Sequence, residues 1–101
     1  MNTAILNPVQ ALVAAASLAT GVAESRIYSS SRTPLVCSIR WAVFVILRRR
    51  GWSLADIGHA FFRDHTTVIC GLRRASVLMD SDVWFSGLVS YLSKTIQQPQ
   101  P

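Results

Sequence analysis

Apolar residues along this chain recur at helical spacing and almost never alternate. Val9, Leu12, Val13 and Ala16 share one helical stripe. Asn7 and Pro8 precede it as a capping side chain and a residue whose ring presets the first turn. Thr20-Gly21 closes this helix. Glu24 to Tyr28 reads as one short helical turn, and Ser29-Ser30-Ser31-Arg32-Thr33-Pro34 reads as a loop by composition. A longer helix is predicted from about Leu35 to Arg49. Its core stripe is Ile39, Ala42, Val43, Ile46 and Leu47, and Trp41, Phe44 and Val45 make the opposite side apolar too. A helix apolar nearly all round belongs at the centre of a fold. Arg48, Arg49 and Arg50 place positive charge at its C-terminus, where it complements the helix dipole, and Gly51 stops it.

Ser53 is placed to cap the next helix, with Asp56 three residues on as an acidic variant of the capping box. Leu54, Ile57 and Phe61 supply its buried face. After a short turn near Phe62, another helix is predicted from about Asp64 to Met79, with Val68, Leu72, Ala75 and Met79 on one stripe. Ser81 is read as the cap of a last helix carrying Phe85, Leu88, Val89, Leu92 and Ile96. No alternating run bounded by hairpin turns is present. The pattern predicts an all-α bundle of about five to six helices. It forms one domain over residues 1–96, with a flexible Gln-Pro tail at 97–101.

Composition adds charge to this picture. The chain has 101 residues, which suits one domain, and half of them are hydrophobic, which excludes a disordered tail. Ten basic residues against five acidic ones give a net charge of +5, and all the basic residues except Lys94 are arginine. The planar guanidinium fork suits phosphates and guanine edges, so the bias points toward a nucleic-acid partner, with a soluble basic surface or a patch for acidic lipid as the alternatives. Cys37, Cys70, His59 and His65 fit no compact zinc spacing, and free thiols in a reducing cytosol are expected, with no metal and no cofactor. The Ala-rich stretch 9–23 lacks a basic region before it and makes a poor signal peptide. The apolar run 35–47 is too short to span a bilayer and contains Arg40. A cytoplasmic, nucleoid-associated protein with no membrane partner is the expectation.

The stretch Ser53–Arg74 carries the chemistry. A short helix, a tight turn and a longer helix make a helix-turn-helix pattern, with its motif over about 53–79. Gly58 lies inside the first of these helices, where it costs about 1 kcal/mol relative to alanine, so close packing against the second helix is predicted there. Asp64, His65, Thr66 and Thr67 offer acceptors, donors and two methyl groups within one turn, where a docked recognition helix meets base edges. Asp64 also fits a plain N-cap, and it serves both roles only through different oxygens. Arg63, Arg73 and Arg74 flank the turn as phosphate partners.

The run Ser53-Leu54-Ala55-Asp56-Ile57-Gly58, then Phe61-Phe62, then Arg63-Asp64-His65-Thr66-Thr67-Val68, resembles the signature of the C-terminal DNA-binding domain of the bacterial replication initiator DnaA. The resemblance covers about residues 7–95. It implies a Trp-repressor-like helix-turn-helix bundle that binds double-stranded DNA at DnaA-box-like sites. It aligns Arg63 with the start of the major-groove helix, assigns base reading to Asp64, His65, Thr66 and Thr67, and backbone approach to Ser53, Leu54 and Ala55. Arg32 aligns near the family arginine that enters the adjacent minor groove. The chain departs from the family in three places. Phe61-Phe62 stands for Phe-Gly-Gly and is one residue shorter, the basic loop is thinned to Ser29-Ser30-Ser31-Arg32, and Cys37, Ile39 and Leu47 replace basic residues. Arg40 and the Arg48–Arg50 cluster, Arg50 included, are expected to replace some phosphate contacts.

No Gly-rich phosphate loop followed by Lys-Ser or Lys-Thr is present, so no nucleotide is expected. His65 and Asp64 are helix neighbours that point apart, and no nucleophile-base set is evident, so an enzyme is not expected. The competing expectation is a protein-interaction module of the same fold that has lost DNA binding. It would use apolar residues among Trp41, Phe44, Trp52, Trp84 and Tyr91 as a patch for a partner or a second copy.

Overall fold

Asn7 starts the first helix as its sequence promises. Its Oδ1 accepts from the Gln10 amide at 2.8 Å, and the Gln10 side chain accepts from the Asn7 amide at 3.3 Å. The helix ends at Gly21, whose φ of +78° lets its N–H fold back onto the Ser17 carbonyl. The computed structural model describes residues 7–96. Among them are six helices: α1 (Pro8–Thr20), α2 (Glu24–Tyr28), α3 (Pro34–Arg49), α4 (Leu54–Ala60), α5 (His65–Ser81) and α6 (Val83–Ile96). No strand occurs among the described residues. The tail expected at 97–101 and the first six residues of the predicted domain lie outside the described residues.

The helix apolar on both sides, α3, packs against every other helix. Ile39, Ala42, Val43, Phe44 and Leu47 are fully buried. Each large side chain removed from water in this way contributes about 1.5–3 kcal/mol. Phe44 meets Phe61 of the α4–α5 turn edge to face, with ring centroids 5.3 Å apart, which ties that turn to the core. On the other side, α5 approaches α3 at Gly71. A Cβ there would lie 2.6 Å from Trp41 Cδ1, so only glycine allows this approach. From α6, Phe85, Leu88, Val89, Leu92 and Ile96 close the core, as their spacing predicts.

The α5–α6 junction differs from the expected one. α5 runs two residues past Met79, and the cap of α6 is Asp82 rather than Ser81. The Asp82 Oδ1 accepts from the Phe85 amide at 3.1 Å, whereas Ser81 Oγ turns back to the Val77 carbonyl at 3.0 Å. A serine inside a last helical turn finds a carbonyl one turn behind it, which leaves the first residue off the helix to cap the next.

Candidate nucleic-acid interface

The site is built on a tight turn. Ser53 Oγ accepts from the Asp56 amide at 3.0 Å and starts α4. The Asp56 carboxylate, one methylene shorter than glutamate, makes no return bond to Ser53 among the described residues. At the far end of α4, the Gly58 carbonyl accepts from the amides of both Phe61 and Arg63, the latter at 2.8 Å. A Cβ on Gly58 would lie 2.6 Å from the Arg63 carbonyl oxygen. The close packing predicted for this glycine is therefore present, and its partner is the backbone leading into α5. Phe61 is buried against Phe44 and Tyr28, while Phe62 takes a left-handed φ of +58° and stands 80% exposed.

Asp64 is the cap of α5. Its Oδ1 accepts from the amides of Thr66 (2.9 Å) and Thr67 (3.2 Å), and Oδ2 takes part in neither bond. His65, Thr66 and Thr67 are exposed on the first turn. The residues singled out as base readers thus form one solvent-facing surface at the positive end of a 17-residue helix. Cys70 and Arg73 continue that outer face at helical spacing from Thr66. Cys70 was not among the expected site residues. The signal was there, since it lies four residues beyond Thr66.

Two arginines fasten the α2–α3 loop beside this surface. Arg63 Nη2 donates to the Ser29 carbonyl at 2.7 Å. Arg40 Nη2 donates to the carbonyls of Ser29 (2.9 Å) and Ser31 (3.1 Å), and its Nε donates to Ile27 at 2.9 Å. Arg40 is 6% exposed, so it stands apart from the phosphate role expected of it. Its position on the inner side of α3 points it at a loop whose carbonyls have no strand or helix partners. Burial pushes the Arg40 pKa below its ordinary value, the Cys37 thiol acts in the opposite direction, and the Arg63 charge adds to the lowering.

With the loop held there, Arg32, Arg40, Arg63 and Arg74 line one groove with Thr67 and Cys70, between the loop, the start of α3 and the outer face of α5. No acidic residue lines it. The fold therefore brings Arg32 next to the start of α5. Other expected contacts fall elsewhere. Arg50 borders a separate depression with Asp56 and His59 at the α3–α4 corner. Ser53 and Ala55 are exposed at the start of α4, and Leu54 is half-buried. Arg73 is exposed on α5.

Among the described residues, no group of three or more His, Cys, Asp or Glu side chains is placed to hold a metal ion. No helix there is long and apolar enough to cross a membrane. Both cysteines are free thiols, Cys37 half-buried and Cys70 exposed. Comparison with protein-family models finds no match to this chain, and comparison with curated proteins finds none either.

Proposed function

We propose that this chain binds double-stranded DNA through α4 and α5 as a Trp-repressor-like helix-turn-helix and acts by occupying DnaA-box-like sites. The observation that carries this reading is the arginine-lined groove that joins the α2–α3 loop to the first turn of α5. In this reading the start of α5 enters the major groove. His65, Thr66 and Thr67 meet base edges, and Asp64 accepts from a cytosine amine through Oδ2 while Oδ1 keeps the cap. Arg32 reaches the neighbouring minor groove, and Arg63, Arg73 and Arg74 neutralise the intervening phosphates. Arg40 contributes by holding the loop that presents Arg32.

Selection of bound sequences from random duplex DNA tests the reading, followed by anisotropy titration of the recovered sites. Thr66→Val and His65→Ala are expected to change the ranking of sites. Arg74→Ala should weaken binding to every sequence alike, by roughly tenfold for one lost charged hydrogen bond. Failure to enrich any duplex would overturn the proposal.

One observation favours the second reading, a protein-interaction module. Phe62 exposes a large aromatic ring on the turn itself, in a backbone conformation that L side chains rarely adopt. A partner protein docked on that ring would bind with little dependence on salt.

A further inference from the structure

We propose that the outer face of α6 is a homodimer interface, which pairs with the same face of a second copy, antiparallel, about a two-fold axis near Gly87 and Ser90. Val83 is 87% exposed, Trp84 47% and Tyr91 41%. Trp84 and Tyr91 border a shallow depression between α1 and α6 that also includes Ala19 and Gly87. Single exposed apolar side chains are ordinary, whereas several on one helix face mark a contact surface. Helical spacing sets Val83, Gly87, Ser90 and Lys94 along one outward line of α6. The middle of that line is a notch because Gly87 has no side chain and Ser90 a small one, and the space over Gly87 is open. Its ends protrude. A two-fold axis through the notch lets two such helices approach closely, with Trp84 and Tyr91 beside the crossing on the α1 side of each helix.

Charge selects a second copy as the occupant. α1 has no charged residue, and α6 has only Lys94. The nine arginines all lie on other elements of a chain with net charge +5. An acidic partner would be drawn to those arginines. Two copies that meet here keep their arginine-bearing elements off the contact. The few charges at this face are complementary under the same axis. Asp82 immediately precedes α6 and Lys94 lies near its end, so an antiparallel pair brings Lys94 of each copy toward Asp82 of the other. The residues of this face are distinct from those that line the arginine groove.

Sedimentation equilibrium of the full chain tests this inference independently of DNA. The expected mass rises with concentration to twice the 11.1 kDa of one chain. Gly87→Glu sets two carboxylates at the axis and should weaken the dimer by about tenfold or more. Its melting temperature in dilute solution should not fall, because the site is open and glycine is a poor helix former. Lys94→Glu should also weaken the dimer, and Arg26→Glu, the same charge change on α2, should not. A wild-type chain that stays monomeric up to about 1 mM, a weak limit for specific association, would overturn the proposal. So would a Gly87→Glu dimer as tight as the wild type, or equal effects of Lys94→Glu and Arg26→Glu.

Discussion

Gly58 fixes the α4–α5 turn by what it lacks. Because no Cβ stands at that position, the Arg63 carbonyl comes in to where one would be, and the Arg63 amide bonds back to the Gly58 carbonyl. Alanine is the better helix former by about 1 kcal/mol. Here it would push a backbone carbonyl, which cannot swing aside as a long side chain could. Overpacking of that kind costs about 1–3 kcal/mol, so the strain outweighs the propensity gain. Gly58→Ala is expected to destabilise the fold by up to about 2 kcal/mol in urea denaturation. Gly87→Ala in dilute solution, with open space around the new methyl, should leave stability unchanged or raise it by up to about 1 kcal/mol. The reason for Gly58 was legible in the sequence because a glycine inside a predicted helix needs one. The reason for Gly71 was not, since nothing local to α5 shows that Trp41 of α3 lies against it. Phe62 runs the other way. It holds a left-handed conformation suited to glycine, at the point where the DnaA-like pattern carries glycines, and a bulky residue there stores about 1–2 kcal/mol of backbone strain.

At the scale of the helices, α5 combines a structural cap and a proposed reading surface in the same four residues. Asp64 Oδ1 holds two backbone amides, a contribution of about 0.5–2 kcal/mol to stability. The two roles separate by substitution. Asp64→Asn keeps an acceptor for both amides and should hold stability within about 0.5 kcal/mol, since asparagine caps as well as aspartate. It replaces the second carboxylate oxygen with a donor, so in the DNA reading it changes base preference at one position of the site. Asp64→Ala loses cap and reader together and should lower stability by about 1 kcal/mol. Urea midpoints with parallel site-preference titrations check this; unchanged preference in the Asn variant would leave Asp64 as a cap alone. The helices themselves were legible because caps and stops are local: Asn7, Gly21, Gly51 and Ser53 sit where the periodicity breaks. The groove was not. It depends on carbonyl bonds that cross 34 residues from Arg63 and 11 from Arg40, and no spacing rule within a helix encodes them. The same bonds explain why Arg40 is an anchor of the loop and not part of the exposed surface.

For the whole molecule, the distribution of charge makes the proposed DNA reading testable through salt. Arg32, Arg63 and Arg74 line the groove with the buried Arg40, and Arg73 stands on the same helix as Arg74. Each phosphate neutralised on duplex DNA releases counterions and contributes about −0.9 to the slope of log affinity against log salt. Arg40 is left out of the count, because it is buried and its guanidinium serves the Ile27, Ser29 and Ser31 carbonyls, whereas half-buried Arg63 gives only Nη2 to Ser29. The remaining arginines of the surface predict a slope of about −3 to −4, a loss of roughly two orders of magnitude in affinity between about 50 and 200 mM salt. Arg74→Ala should make that slope shallower by about one unit while leaving the order of site preference intact. Arg40→Met should act differently. It frees the loop carbonyls and lets Arg32 drift from the start of α5, so it should lower stability and affinity together without removing a phosphate partner from the slope beyond Arg32. Anisotropy titrations across salt, run on the wild type and both variants, distinguish the two cases. A flat salt response in the wild type would instead favour docking through Phe62, where no charge is exchanged.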